Sequence, residues 1–98
     1  MSYQVKLKTG FYETTLYDLS LSQDKIQFIP LENTEKEVIT IKSDDLITIT
    51  LTKRTHSEIE VLARNRIFTG TFIQDPDLRE LQKTLKKYIN TKIIYEEE

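Results

Sequence analysis

Residues 3 to 73 read as a run of short strands, and a single amphipathic helix closes them. That asymmetry constrains the fold most, because one helix after many strands leads to a curved sheet with a helix packed on it. The helix is expected over about 76–90. Asp75 can accept a bond from a free N–H of the first turn, and Pro76 suits the first helical position, where its missing N–H costs nothing. Leu78, Leu81, Leu85, Tyr88 and Ile89 recur at steps of three and four and share one face.

Before the helix, apolar residues alternate with polar ones. Tyr3, Val5 and Leu7 form one strand face, and Thr9-Gly10 is a turn candidate. From Phe11 to Leu21 the chain is rich in strand formers, and Ser22-Gln23-Asp24-Lys25 is a hairpin connection. Ile26 and Phe28 follow, up to Pro30, which weakens further pairing. The polar stretch 32–37 is expected to be a mobile loop. Ile39 and Ile41 make the next face, and Ser43-Asp44-Asp45 interrupts it. Ile47, Ile49 and Leu51, between threonines, make the clearest strand. Arg54 to Ser57 is a turn, Ile59 and Val61 resume the alternation, and Asn65 sits in a tight turn. Ile67 to Ile73 is the last strand before the helix, with Gly70 marking a bulge or a close backbone approach. Seven strands before one helix is the expectation. In the tail 91–98, Ile93, Ile94 and Tyr95 are too apolar for a loose end, so they should extend the helix or add a short strand.

Two longer segments carry a family resemblance. Leu19-Ser-Leu21-Ser-Gln-Asp24-Lys-Ile26-Gln-Phe28-Ile-Pro30 resembles the second hairpin of a GRAM or pleckstrin-homology-like domain. Ile39-Thr-Ile41-Lys-Ser-Asp-Asp45-Leu-Ile47 is similar to that family's next segment, and the strands over 58–73 and the closing helix follow in the family's order. The resemblance implies a single PH/GRAM-like domain over 1–98. Its fold would be mostly β: a PH-like barrel of about seven antiparallel strands, two orthogonal sheets capped by the C-terminal helix. The tryptophan frequent in that helix is absent.

Composition narrows the chemistry. The net charge of −2 favours neither general nucleic-acid binding nor a strongly acidic role. The absence of cysteine excludes disulfides, thiol catalysis and cysteine zinc sites, and it fits a reducing cytoplasm. The start of the chain, Met1 to Lys6, lacks the apolar core of a signal peptide, and no apolar run approaches the ~20 residues of a membrane span. His56 is the only histidine; it falls in a turn and reads as exposed. Asp44-Asp45 lacks the spacing and glycine of a calcium loop and reads as a turn bonded to its own backbone. Glu58 and Glu60 share a solvated strand face, and no glycine-rich phosphate cradle exists. No nucleophile–base pair, metal set or cofactor site can be nominated, so the expected class is a non-enzyme.

The remaining candidates are basic. Lys6 and Lys8 share a strand face leading into the Thr9-Gly10 turn, and the resemblance implies that lipid-phosphate binders of the family use such positions. Lys53 and Arg54 could join Arg64 and Arg66 in a second cluster if their strands pair. These six are the candidate lipid- or anion-binding residues. Their plainer role is to keep strand edges soluble. Most of the aromatic residues read as core and strand formers, while Tyr12 and Tyr17 could be exposed. The expected function is a non-catalytic interaction module, binding an unknown protein or forming a homo-oligomer. A module for weakly anionic membrane surfaces is the alternative, and a small β-barrel nucleic-acid binder is disfavoured by net acidity.

Overall fold

The alternation in the sequence becomes one continuous sheet. The computed structural model of the chain describes residues 2–32 and 35–98. Asn33 and Thr34, in the loop expected over 32–37, lie outside the described residues. Among those described are eight strands and one α-helix: β1 (Ser2–Lys8), β2 (Thr14–Ser22), β3 (Lys25–Pro30), β4 (Ile39–Lys42), β5 (Leu46–Lys53), β6 (Ser57–Ala63), β7 (Ile67–Phe72), α1 (Leu78–Tyr88) and β8 (Lys92–Glu97). Seven strands precede the helix, as expected.

The sheet order is β4-β3-β2-β1-β7-β6-β5-β8. Two antiparallel meanders, β1 to β4 and β5 to β7, are joined by a short β1–β7 ladder of Val5↔Phe72, Lys6↔Thr71 and Leu7↔Gly70. No ladder links β4 to β8, so the sheet curves without closing into a barrel. The one parallel pair is β5–β8, in register from Thr48↔Lys92 to Lys53↔Glu97. A parallel pair needs a crossover, and α1 supplies it. The apolar tail therefore adds a strand to its own sheet, one of the two outcomes expected for it.

The core lies inside the curve. Val5, Leu7, Leu19, Ile26, Phe28, Ile49, Leu51, Ile59 and Val61 from five strands meet Leu78, Leu81, Leu85 and Ile89 of the helix segment, all buried. Phe28 links the halves: its ring lies 6.3 Å from Tyr17 and 6.0 Å from Phe68. Tyr17 is buried, so its expected exposure does not hold; it occupies an inward position of β2, paired with Val5.

Three local expectations are corrected. The helix begins at Leu78, and its cap is Asp77, whose carboxylate accepts from Arg79 N–H (3.1 Å) and Glu80 N–H (3.2 Å). Asp75 instead accepts from the Ser57 N–H at 3.0 Å, holding the start of β6. The second strand begins at Thr14, because Thr9 N–H and Gly10 N–H both donate to Glu13 O and fold Phe11 and Tyr12 into the turn. Ile47 is off the core face and 48% exposed: a bulge between Leu46 and Thr48 inserts one residue, so Leu46 and Ile49 both point inward. Thr91 Oγ1 donates to the displaced Ile47 carbonyl at 3.0 Å.

Gly70 marks a close approach. A Cβ there would lie 2.8 Å from Leu7 Cδ2 and 3.2 Å from the Lys6 carbonyl. Gly70→Ala should cost about 1–3 kcal/mol by overpacking the β1–β7 junction. Urea unfolding measures it, and an unchanged midpoint would mean that the junction yields freely.

The Ser57 N–H holds the Asp75 carboxyl below its ordinary pKa of 3.8; burial opposes this, while the Ser57 hydroxyl, His56 and Lys53 reinforce it. A depressed pKa contributes stability above the ordinary value and loses it as pH falls through the folded value. Asp75→Asn should therefore flatten the acid limb of the stability curve below pH ~4. Melting temperatures from neutral to acid pH test this, and parallel curves for the two proteins would contradict it.

Candidate protein-interaction surface

The sheet fails to close between β4 and the β6–β7 turn. The Ser43 N–H donates to Asp24 O at 2.9 Å, so residues 39, 41 and 43 turn their backbone groups toward β3. Thr40 and Lys42 therefore point theirs away, into the seam. Opposite them, Ala63 N–H donates to Arg66 O at 2.9 Å and closes the β6–β7 turn. One end of the seam is pinned by Arg64 N–H on Asp45 O at 2.9 Å.

A groove of about 210 Å³ runs along this seam, between Ile39, Thr40 and Ile41 on one wall and Ala63, Arg64 and Arg66 on the other. Phe68 lines it too, with the Arg66 guanidinium 4.5 Å over its ring. The groove continues into a wider one of about 540 Å³, which shares Ile39, Thr40, Arg66 and Phe68 and adds Lys8, Lys36 and Val38. Glu35, Glu37 and Asp45 bring acid to the rim. Arg64 and Arg66 form no salt bridge among the described residues, whereas Lys36 pairs with Glu13 at 3.2 Å. Val38 and Ile67, at the two flanks, are exposed. The arrangement offers a free strand edge, the apolar side chains of Ile39 and Phe68, and two guanidinium groups outside any salt bridge among the described residues.

The six basic candidates divide. Lys8 and Arg66 line the same groove. Lys6 lies two residues from Lys8 on the outer face of β1, exposed. Arg64 and Arg66 flank the β6–β7 turn, but Lys53 and Arg54 lie at the opposite end of β6. Six strand steps separate the two pairs, roughly 20 Å, so the expected second cluster does not form. Arg54 is also engaged by Glu58 (3.4 Å) and Glu98 (3.3 Å).

Phe11 and Tyr12, read from the sequence mainly as strand residues, are 92% and 98% exposed at the β1–β2 tip, with rings 5.5 Å apart. For Tyr12 the exposure that the sequence allowed is observed; for Phe11 the only warning is the nearness of Thr9-Gly10. A further polar hollow, about 410 Å³ between Tyr3, Asp18 and Asp75, brings together no nucleophile and base. His56 is exposed in the β5–β6 turn. Among the described residues, no group of three or more His, Cys, Asp or Glu could hold a metal ion, and no helix is long and apolar enough to cross a membrane.

No family model matches the chain, and no curated protein does. Among solved structures, it is similar to a chain described as the structure of the Spt16D Pob3N heterodimer, with a TM-score of 0.74 and 15% sequence identity. The match covers 99% of this chain and 54% of that one, so the chain spans about half the length of its structural neighbour. At that identity the likeness concerns the fold alone. With its curved sheet and single helix, the chain has a PH-like fold.

Proposed function

We propose that residues 1–98 form one non-catalytic interaction module, which receives an extended segment of a protein partner along the β4 edge. The observation that carries this reading is the open seam. Its free Thr40 and Lys42 backbone groups suit β-augmentation, in which main-chain bonds supply affinity and side-chain pockets supply specificity. Arg64 and Arg66 favour acidic side chains on that segment, and Ile39 and Phe68 favour apolar ones. The structural neighbour is itself described as part of a heterodimer, which agrees with a protein partner. Within PH-like folds, the Leu19–Pro30 hairpin supports a GRAM-type assignment.

A fluorescent peptide of alternating valine and glutamate tests the reading by anisotropy. It should bind, weaken with salt, and lose affinity by about tenfold or more when Arg64 and Arg66 are both changed to Glu, at an unchanged melting temperature. A peptide with lysine for glutamate should not bind. Absence of binding, or equal binding by the double variant, would contradict the reading.

The exposed Phe11–Tyr12 pair favours a second reading, a membrane-surface module. Aromatic rings suit the bilayer interface, and Lys6 and Lys8 would add about 1 kcal/mol each near an anionic surface. The separation of Lys53 and Arg54 from Lys8 and Arg66 weakens that reading. Flotation with anionic liposomes at physiological salt should leave the protein in the bottom fraction. Clear flotation would replace the seam reading with this one.

A further inference from the structure

We propose that the free edge of β8 pairs antiparallel with the same edge of a second copy, about a two-fold axis at Ile94. This names one partner for the interaction module proposed above and rests on that reading, but it uses a surface on the other border of the sheet. β8 is the last strand, with β5 on one side and no strand on the other. The Glu98 N–H donates to Lys53 O at 3.0 Å, so the even-numbered residues of β8 turn their backbone groups toward β5. Ile93, Tyr95 and Glu97 therefore turn theirs outward. The Gln82 side chain donates to the outward Ile93 carbonyl at 3.1 Å, and that oxygen keeps a second lone pair for a strand N–H.

Opposed residues in an antiparallel ladder share a face, and outward groups must meet outward groups. Few two-fold registers satisfy both conditions. With the axis at Tyr95, Ile94 faces Glu96 and Ile93 faces Glu97, placing apolar side chains against acids. With the axis at Ile93, Lys92 faces Ile94 and the acidic end lies beyond the ladder. With the axis at Ile94, Lys92 of each copy faces Glu96 of the other, Ile94 faces Ile94, and Ile93 faces Tyr95. Each of these pairs matches in charge or apolarity.

The outer face supports the same register. Lys92, Ile94 and Glu96 lie beside Thr48, Thr50 and Thr52, so Ile94 is a half-buried apolar side chain in a polar row. A neighbour beyond the edge would cover it. In a lone copy, Lys92 and Glu96 are exposed and would blunt an edge against foreign strands. In this register the same charges select a second copy of the chain.

Because the chain lacks cysteine, Ile94→Cys introduces one thiol, placed opposite its own counterpart at a non-hydrogen-bonded site. Mild oxidation should give a disulfide-linked dimer, while Thr69→Cys, on an exposed position of β7, should not. Sedimentation of the cysteine-free protein up to millimolar concentration should show a monomer–dimer equilibrium. Lys92→Glu and Glu96→Lys should each weaken it by about tenfold or more, and the double variant should restore it. A monomer throughout, no preference for crosslinking at position 94, or failure of the double variant to restore dimer would overturn the proposal. Peptide binding at the seam should survive Lys92→Glu. A cysteine-free protein that binds the peptide at the seam but stays monomeric therefore fails this proposal alone, and one that dimerises but does not bind the peptide fails the other.

Discussion

Leu85→Ala should lower the unfolding free energy by about 2–5 kcal/mol, a large fraction of the ~5–15 kcal/mol that holds a typical domain. Leu85 is fully buried and sits with Leu78 and Leu81 on the stripe of α1 that faces the sheet. The helix contacts β2, β5 and β8, so a void beneath Leu85 opens in the centre of the core. The loss combines removed apolar burial with a cavity that the rigid sheet cannot collapse to fill. Urea unfolding at constant slope measures it. A change below ~0.5 kcal/mol would mean that α1 does not close the core.

Truncation after Asn90 should have an effect of comparable or greater size. It removes the six register pairs of β8 with β5, the buried Ile93 side chain, and the acceptor held by Gln82. Burial of one isoleucine contributes about 1.5–3 kcal/mol, and each ladder hydrogen bond about 0.5–1.5 kcal/mol net. It also bares the β5 edge, with Ile49 and Leu51 behind it, so aggregation on heating should accompany the loss. Ile93→Ser separates the two contributions, because it keeps the ladder and removes only the apolar side chain. Unchanged melting of the truncated chain would show that β8 is only a loosely held end.

Several of these features were legible as patterns. Alternation at Val5, Leu7, Ile49, Leu51, Ile59 and Val61 reports a sheet buried on one face, and the leucine stripe reports which face of α1 meets it. Ile93, Ile94 and Tyr95 reveal an apolar tail, but not that it would lie parallel to β5, because pairing direction follows from where the helix leaves the chain. The cap was ambiguous because Asp75 and Asp77 flank Pro76 and either carboxylate suits an N-terminus. The choice rests on the buried Ser57 N–H, eighteen residues upstream, which takes Asp75. The bulge at Ile47 was hidden because Ile47, Ile49 and Leu51 alternate without a break, and only pairing with Ala63 and Leu62 shows the extra residue.

The seam was harder to see. It depends on β4 and the β6–β7 turn failing to meet, which no local pattern encodes. Possible pairing of their strands suggested a cluster of Lys53 and Arg54 with Arg64 and Arg66. Strand direction instead carried Lys53 and Arg54 to one end of β6 and Arg64 and Arg66 to the other.

The seam can be tested directly by titrating the ¹⁵N-labelled chain with the valine–glutamate peptide and mapping amide shifts. The account predicts changes confined to Ile39–Lys42 and to residues 63–68, with protection of the Thr40 and Lys42 amides from exchange as a strand is added. Shifts centred on Phe11 and Tyr12, or none at a millimolar excess of peptide, would contradict it.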